Sequence, residues 1–137
     1  MRTNLKLALA LLCGVGLGAA ATHGLRAAPE ITRNVLQHAD LTGTTTTEVY
    51  MTMIEAPPGA VFAPHVHHGD EFTYVMEGAL DLDIAGQGTK SVKAGDTIHV
   101  NRETVHGGKV ASATPVKLLA VHIVDKGKPL AEPARDK

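Results

Sequence analysis

The segment from Gly59 to Gly78 carries His65 and His67 one residue apart, Glu71 four positions further on, and a glycine at each end. On a β-strand alternate side chains share a face, so His65 and His67 point one way and Val66 the other. Gly69-Asp70 reads as a short bend, after which Glu71-Phe72-Thr73-Tyr74-Val75-Met76 begins a new strand. If that strand pairs antiparallel with the first, Glu71 returns to the two imidazoles, and His106, at the end of a second glycine-led stretch, supplies a third. The chain is thereby constrained to β-structure folded around one point, and the residue types suggest a divalent metal site. Three imidazoles and one carboxylate, with no thiolate, suit Mn, Fe, Co, Ni, Cu or Zn, and affinity alone does not choose among them. An octahedral ion held this way keeps about two positions for water, substrate or dioxygen. A plainer reading stays open, in which the histidines are solvated loop residues that bind metal only adventitiously.

The same residues carry a family resemblance. Gly59, five residues, His65-Val66-His67, three residues, Glu71, six residues and Gly78 together resemble the first motif of the cupins at every fixed position. Gly95-Asp96-Thr97-Ile98-His99-Val100-Asn101-Arg102-Glu103-Thr104-Val105-His106 resembles the second, with Gly95 and His106 in place. Three positions depart from it: Asn101 stands for the usual proline, Glu103 for the usual glycine, and Val110 where an asparagine is common. Glu tolerates positive φ less well than Gly, which puts the shape of the turn before His106 in question but touches no donor. The likeness is to small exported bacterial cupins of the quercetin-dioxygenase-like kind and runs from about Ile31 to Leu130. It implies one metal ion per chain held by His65, His67, Glu71 and His106, and an all-β fold, a single double-stranded β-helix forming a conical barrel.

Composition supports one β domain independently. A chain of 137 residues suffices for one compact core. With no Trp, two Phe and two Tyr, the interior must be filled by Val, Ile and Leu. Fourteen Gly and seven Pro punctuate short apolar runs, as many short strands with tight turns require. Strands are predicted at Asn34–Gln37, Thr46–Ile54, Val61–His67, Glu71–Met76, Leu80–Ile84, Ser91–Lys93, Thr97–Val100, His106–Val110 and Val116–Val124. Pro57-Pro58-Gly59 reads as a sharp entry to the histidine strand and Ala85-Gly86-Gln87-Gly88 as a hairpin turn. A metal-free sandwich is the alternative fold.

The N-terminus reads as a secretory signal peptide: Arg2 and Lys6, then the apolar run Leu7–Ala21, with Ala19-Ala20-Ala21 offering a small-residue cleavage site. That run is short for a membrane span, which needs about 20 residues. The expected organisation is a cleaved signal peptide over 1–21, a flexible segment over 22–30, a cupin barrel over 31–126 and a tail over 127–137. In that tail Ala131-Glu132-Pro133-Ala134 is expected to leave the barrel. Cleavage removes Cys13, the only cysteine, so the mature chain has no disulfide, which suits a periplasmic or secreted location.

Thirteen basic and fourteen acidic residues form no basic stripe, which argues against nucleic acid. A small-molecule partner and a homodimer are expected, the latter because exposed sheet edges need covering. Among the remaining histidines, His23 falls after the cleavage site, His38 reads as a surface residue, and His68 as exposed or at the lip of the pocket. His99 and His122 sit in apolar strands, where a hydrogen-bonded core histidine is the commoner case. A place for either inside the barrel stays open. Thr73 and Val75 should share the inward face with Glu71, and Phe72, Tyr74 and Met76 the outward one. The leading functional expectation is a metal-dependent, dioxygenase-like oxidoreductase acting on an enol, hydroxyketone or catechol-like substrate, with Glu71 as general base. A redox-neutral isomerase or lyase on a sugar acid, and a non-catalytic metal- or ligand-binding module, are the alternatives.

Overall fold

A computed structural model describes residues 30–135. The segment read above as a signal peptide, with Cys13 in it, and His23 lie outside the described residues. Ten strands follow in order: β1 Thr32–Asp40, β2 Thr47–Ala56, β3 Val61–Val66, β4 Gly69–Glu77, β5 Ala79–Ile84, β6 Gly88–Lys93, β7 Thr97–Val100, β8 His106–Val110, β9 Val116–Asp125 and β10 Glu132–Pro133. They form two antiparallel five-stranded sheets, ordered β1-β2-β9-β4-β7 and β10-β3-β8-β5-β6. Among the described residues no helix is long and apolar enough to cross a membrane.

Period-two alternation sets the interior. Along β9, Val116, Leu118, Ala120, His122 and Val124 are buried, while the residues between them are only partly so. On β4, Thr73 and Val75 turn inward, and Phe72, Tyr74 and Met76 outward. Short aliphatic side chains such as Ile54, Leu80, Leu82, Ile98 and Leu118 fill the space between the sheets, with Phe62 the one aromatic ring in the core cluster. The entry turn closes with Ala60 N–H donating to Pro57 O at 3.1 Å, and Gly59 adopts φ 76°. The hairpin closes with Gln87 N–H donating to Ile84 O at 2.9 Å.

The structure corrects four local expectations. β3 and β4 do not pair; the chain turns at His67-His68 and crosses from one sheet to the other, so Gly69 and Asp70 already belong to β4. The tail does not leave the barrel, because Glu132 and Pro133 pair with Val66 and His65 at the edge of β3. β1 is nine residues long, exposed along its length and paired only with β2, with a register shift near Leu36. His99 is no core residue: β7 buries Ile98 and Val100, which turns His99 outward to stack on Phe72 at 4.4 Å.

Glu103 keeps the left-handed turn that a glycine usually takes, at φ 57°, the one positive φ among the described non-glycine residues. Its N–H donates to His67 O at 3.0 Å and its carboxylate meets His68 Nδ1 at 2.6 Å. These contacts offset a backbone cost of order 1 kcal/mol or more and tie the turn to the inter-sheet corner.

The corner itself depends on Gly69. A Cβ there would lie 2.0 Å from Ile123 O and 2.5 Å from Val124 Cα, both backbone atoms of β9. Gly69→Ala should therefore cost about 3 kcal/mol of stability, at the upper end for overpacking, read as a lowered urea midpoint at unchanged slope. An unchanged midpoint would mean that β4 and β9 do not approach this closely.

Candidate metal centre

Two cross-strand pairs face one another across the interior. In one sheet His65 on β3 is the register partner of His106 on β8; in the other, Glu71 on β4 is the partner of His122 on β9. His67, at the corner between the sheets, closes the group. One donor atom from each of His65, His67, Glu71 and His106 lies within 4.8 Å of all the others. Glu71 Oε2 sits 3.0 Å from His67 Nε2, 3.1 Å from His106 Nε2 and 3.5 Å from His122 Nε2. Its other oxygen accepts from Thr73 Oγ1 at 2.6 Å.

The donor set fits a metal ion on its own chemistry. His65 Nδ1 bonds Ala63 O at 2.8 Å, His106 Nδ1 bonds Thr104 O at 2.9 Å, and His67 Nδ1 bonds Leu130 O. A carbonyl only accepts, so each Nδ1 carries a proton and each Nε2 is turned inward, where a ring without a proton on that atom would offer its lone pair to an ion, the arrangement that orients metal-binding imidazoles. His67 Nε2 is buried and has no hydrogen-bond partner, despite its closeness to Glu71. Such an orphan costs free energy unless something else satisfies it. The Leu130 carbonyl comes from the tail, so the residue just before the segment expected to leave the barrel helps to orient a donor.

The cluster forms part of the wall of a cavity of about 460 Å³. Apolar residues including Ile54, Leu80, Leu82, Ile98 and Leu118 form much of the remaining lining, with Leu130 and Pro133 contributed by the tail. The residue that sequence reasoning left open is His122. It is 4 % exposed and lines the cavity, its ring 4.5 Å from that of His67. His68 lies at the corner between Glu103 and Glu132, the latter at 3.2 Å, and His38 stays outside, bonded to Glu48 at 2.8 Å and stacked on Tyr50.

The family model of the cupin domain matches residues 52–122, from Thr52 on β2 to His122 itself. The chain belongs to the cupin family. No curated protein is similar enough in sequence to match it. Among solved structures, this cupin resembles KdgF from Halomonas sp., at 21 % identity over 72 % of this chain and 82 % of that one, with a TM-score of 0.55. The polyketide cyclase RemF from Streptomyces resistomycificus is similar at 24 % identity over 80 % and 75 %, with a TM-score of 0.60. An oxalate oxidase in complex with the substrate analogue glycolate shares 26 % identity over 54 % of this chain, which spans only 41 % of the oxidase, with a TM-score of 0.51.

Electrostatics in this cupin favour an ionised carboxylate at Glu71. Burial works to raise the Glu71 carboxyl, but the facing imidazoles of His106, His122 and His67 outweigh it and hold the group well below the usual carboxylate range. Burial pushes His65 down to about 4. Burial also opposes the charge on His106, yet contact with Glu71 and with Thr104 O outweighs it, and that imidazole is raised above its usual range.

These shifts set a pH dependence for the metal-free protein. Between pH 6.5 and about 4 the unfolded chain protonates His65 and the fold does not. Below the ordinary carboxylate value the unfolded chain protonates Glu71 as well, while the fold keeps it ionised. In both windows the unfolded state binds more protons, so stability falls as the pH drops. The raised His106 contributes in full below 6.5 and loses its contribution only as the pH rises through its folded value. Urea midpoints of the metal-stripped protein should decline from pH 6.5 to 4, and His65→Gln should flatten that decline. An equal slope in His65→Gln would refute the assignment to His65.

Proposed function

We propose that this cupin is an exported, metal-dependent oxidoreductase of the dioxygenase kind. Its substrate is a small, mainly apolar molecule bearing an enol, hydroxyketone or catechol-like oxygen pair. The observation that carries the reading is the convergence of four donor atoms within 4.8 Å on the wall of an otherwise largely apolar cavity. His65, His67, Glu71 and His106 would hold one divalent transition metal ion. When bound, a redox-active ion of the Fe, Mn, Ni, Co or Cu group supplies Lewis acidity and one-electron chemistry.

The chain's own residues account for the remaining requirements. Glu71, ionised and hydrogen-bonded through Oε1 to Thr73, would be the natural acceptor for a substrate hydroxyl proton once it swings off the ion. Ile54, Leu80, Leu82, Ile98 and Leu118 exclude water and favour a flat or aliphatic body over a polyol, which counts against a sugar acid. The oxalate oxidase among the similar structures lends the oxidative reading modest support.

Export and dimerisation belong to the same proposal. The outward face of the β1-β2-β9-β4-β7 sheet aligns Met51, Val121 and Phe72 in one row and Met53, Leu119 and Tyr74 in the next. This apolar face supports a homodimer. Light scattering should give twice the mature mass, reduced to the single mass by Phe72→Glu, and N-terminal sequencing of the exported protein should begin at Thr22.

Elemental analysis of mature protein from its native compartment should find one transition metal ion per chain, lost in His65→Ala and Glu71→Ala. Oxygen uptake on a panel of catechols and hydroxyketones should fall more than about 100-fold in His67→Ala, beyond the usual loss for outer partners of a metal site. Turnover without oxygen uptake would replace the proposal by a redox-neutral isomerase or lyase. Tight binding without turnover would replace it by a binding module.

A further inference from the structure

Besides His67 Nε2 in the donor cluster, two buried polar atoms on residues that line the cavity have nothing to bond. Thr52 Oγ1 and His122 Nδ1 are both buried without a hydrogen-bond partner, on residues 2 % and 4 % exposed that line the same cavity. Leaving such a group unpaired costs about 1–3 kcal/mol, and buried polar atoms in folded proteins are overwhelmingly paired. Two on one wall therefore point to a partner that enters the cavity.

The register places them side by side. Across β2, β9 and β4, one row reads Thr52, Ala120, Thr73, and the adjacent inward row reads Tyr50, His122, Glu71. Thr52 and His122 are thus diagonal neighbours on one face, a spacing that side chains bridge. Ala120 is the small residue between Thr52 and Thr73, which leaves room there. The Thr73 hydroxyl is committed to Glu71, so it does not compete.

The bonding polarity narrows the guest. His122 Nε2 faces Glu71 Oε2 at 3.5 Å, and a carboxylate only accepts. A neutral His122 therefore keeps its proton on Nε2 and offers Nδ1 as a bare acceptor. The Thr52 hydroxyl can donate. An acceptor beside a donor suits a group that both gives and takes a hydrogen bond, which is a hydroxyl.

We propose that Thr52 and His122 form a hydroxyl-recognition subsite, which holds a phenolic, enolic or alcoholic oxygen of an otherwise apolar ligand. This rests on the reading of the cavity as a substrate pocket, but not on which ion the centre holds or which reaction follows.

The probes are phenol and toluene, alike in shape and differing in the hydroxyl. Their dissociation constants would be measured by NMR titration of the mature protein, zinc-saturated and metal-stripped. Thr52→Val should shift the phenol-to-toluene preference about 5- to 10-fold toward toluene in both states, the factor expected for one hydrogen bond. Thr52→Ser should restore the preference. Thr52→Val should also melt no lower than the natural protein, since it removes an unpaired hydroxyl. If both probes bind and the ratio is the same in Thr52→Val, the subsite fails while the pocket stands. If neither probe binds the natural protein, the pocket reading fails and the subsite with it. Any direct contact of phenol with zinc is common to both proteins and cancels in the comparison.

Discussion

An ionised carboxylate held away from water needs opposite charge or hydrogen-bond donors on every side, and the cavity wall of this cupin is organised around that need at Glu71. Thr73 satisfies one oxygen, and the rings of His67, His106 and His122 surround the other. Thr73 comes from the same strand as Glu71, while the three rings come from β8, β9 and the corner between the sheets. Register across β9 and β4 puts His122 opposite Glu71, register across β3 and β8 puts His106 beside His65, and the corner delivers His67. A slip of one residue in any of these strands would turn its donor to the opposite face.

Backbone carbonyls then decide what the imidazoles can do. Ala63, Thr104 and Leu130 accept from Nδ1 of His65, His106 and His67, and so turn three Nε2 atoms toward one region. His122 has no such carbonyl, which is why it stands apart from the other three although it lies as deep. One hydrogen bond at the far side of the ring thus separates the three imidazoles that could hold a metal ion from the fourth.

Much of this was legible in the sequence, and the exceptions have physical causes. The spacing of His65, His67 and Glu71 and the downstream His106 announced the cluster, and glycine and proline marked the turns that bring it together. His122 could not be placed, because β9 is apolar on both faces: Val116, Leu118, Ala120 and Val124 alternate with Leu119, Val121 and Ile123, so hydrophobicity does not choose an inward side. His99 could have been placed, since Ile98 and Val100 alternate with Thr97 and His99 in a readable period of two. Gly69-Asp70 signals a bend, but whether a bend closes a hairpin or crosses to the other sheet depends on contacts remote in sequence. The two residues of β10 are too few to show any period at all.

The corner at His67-His68 divides the donor set between two layers, with His65 and His106 on one and Glu71 on the other. The gap across the group is therefore the thickness of the hydrocarbon packed between those layers, so the barrel acts as a caliper. A methylene added or removed at Leu80 or Leu118 changes the span of the jaws without touching a donor. The ion radius such a centre accepts is consequently a property of its greasy interior as much as of its ligands.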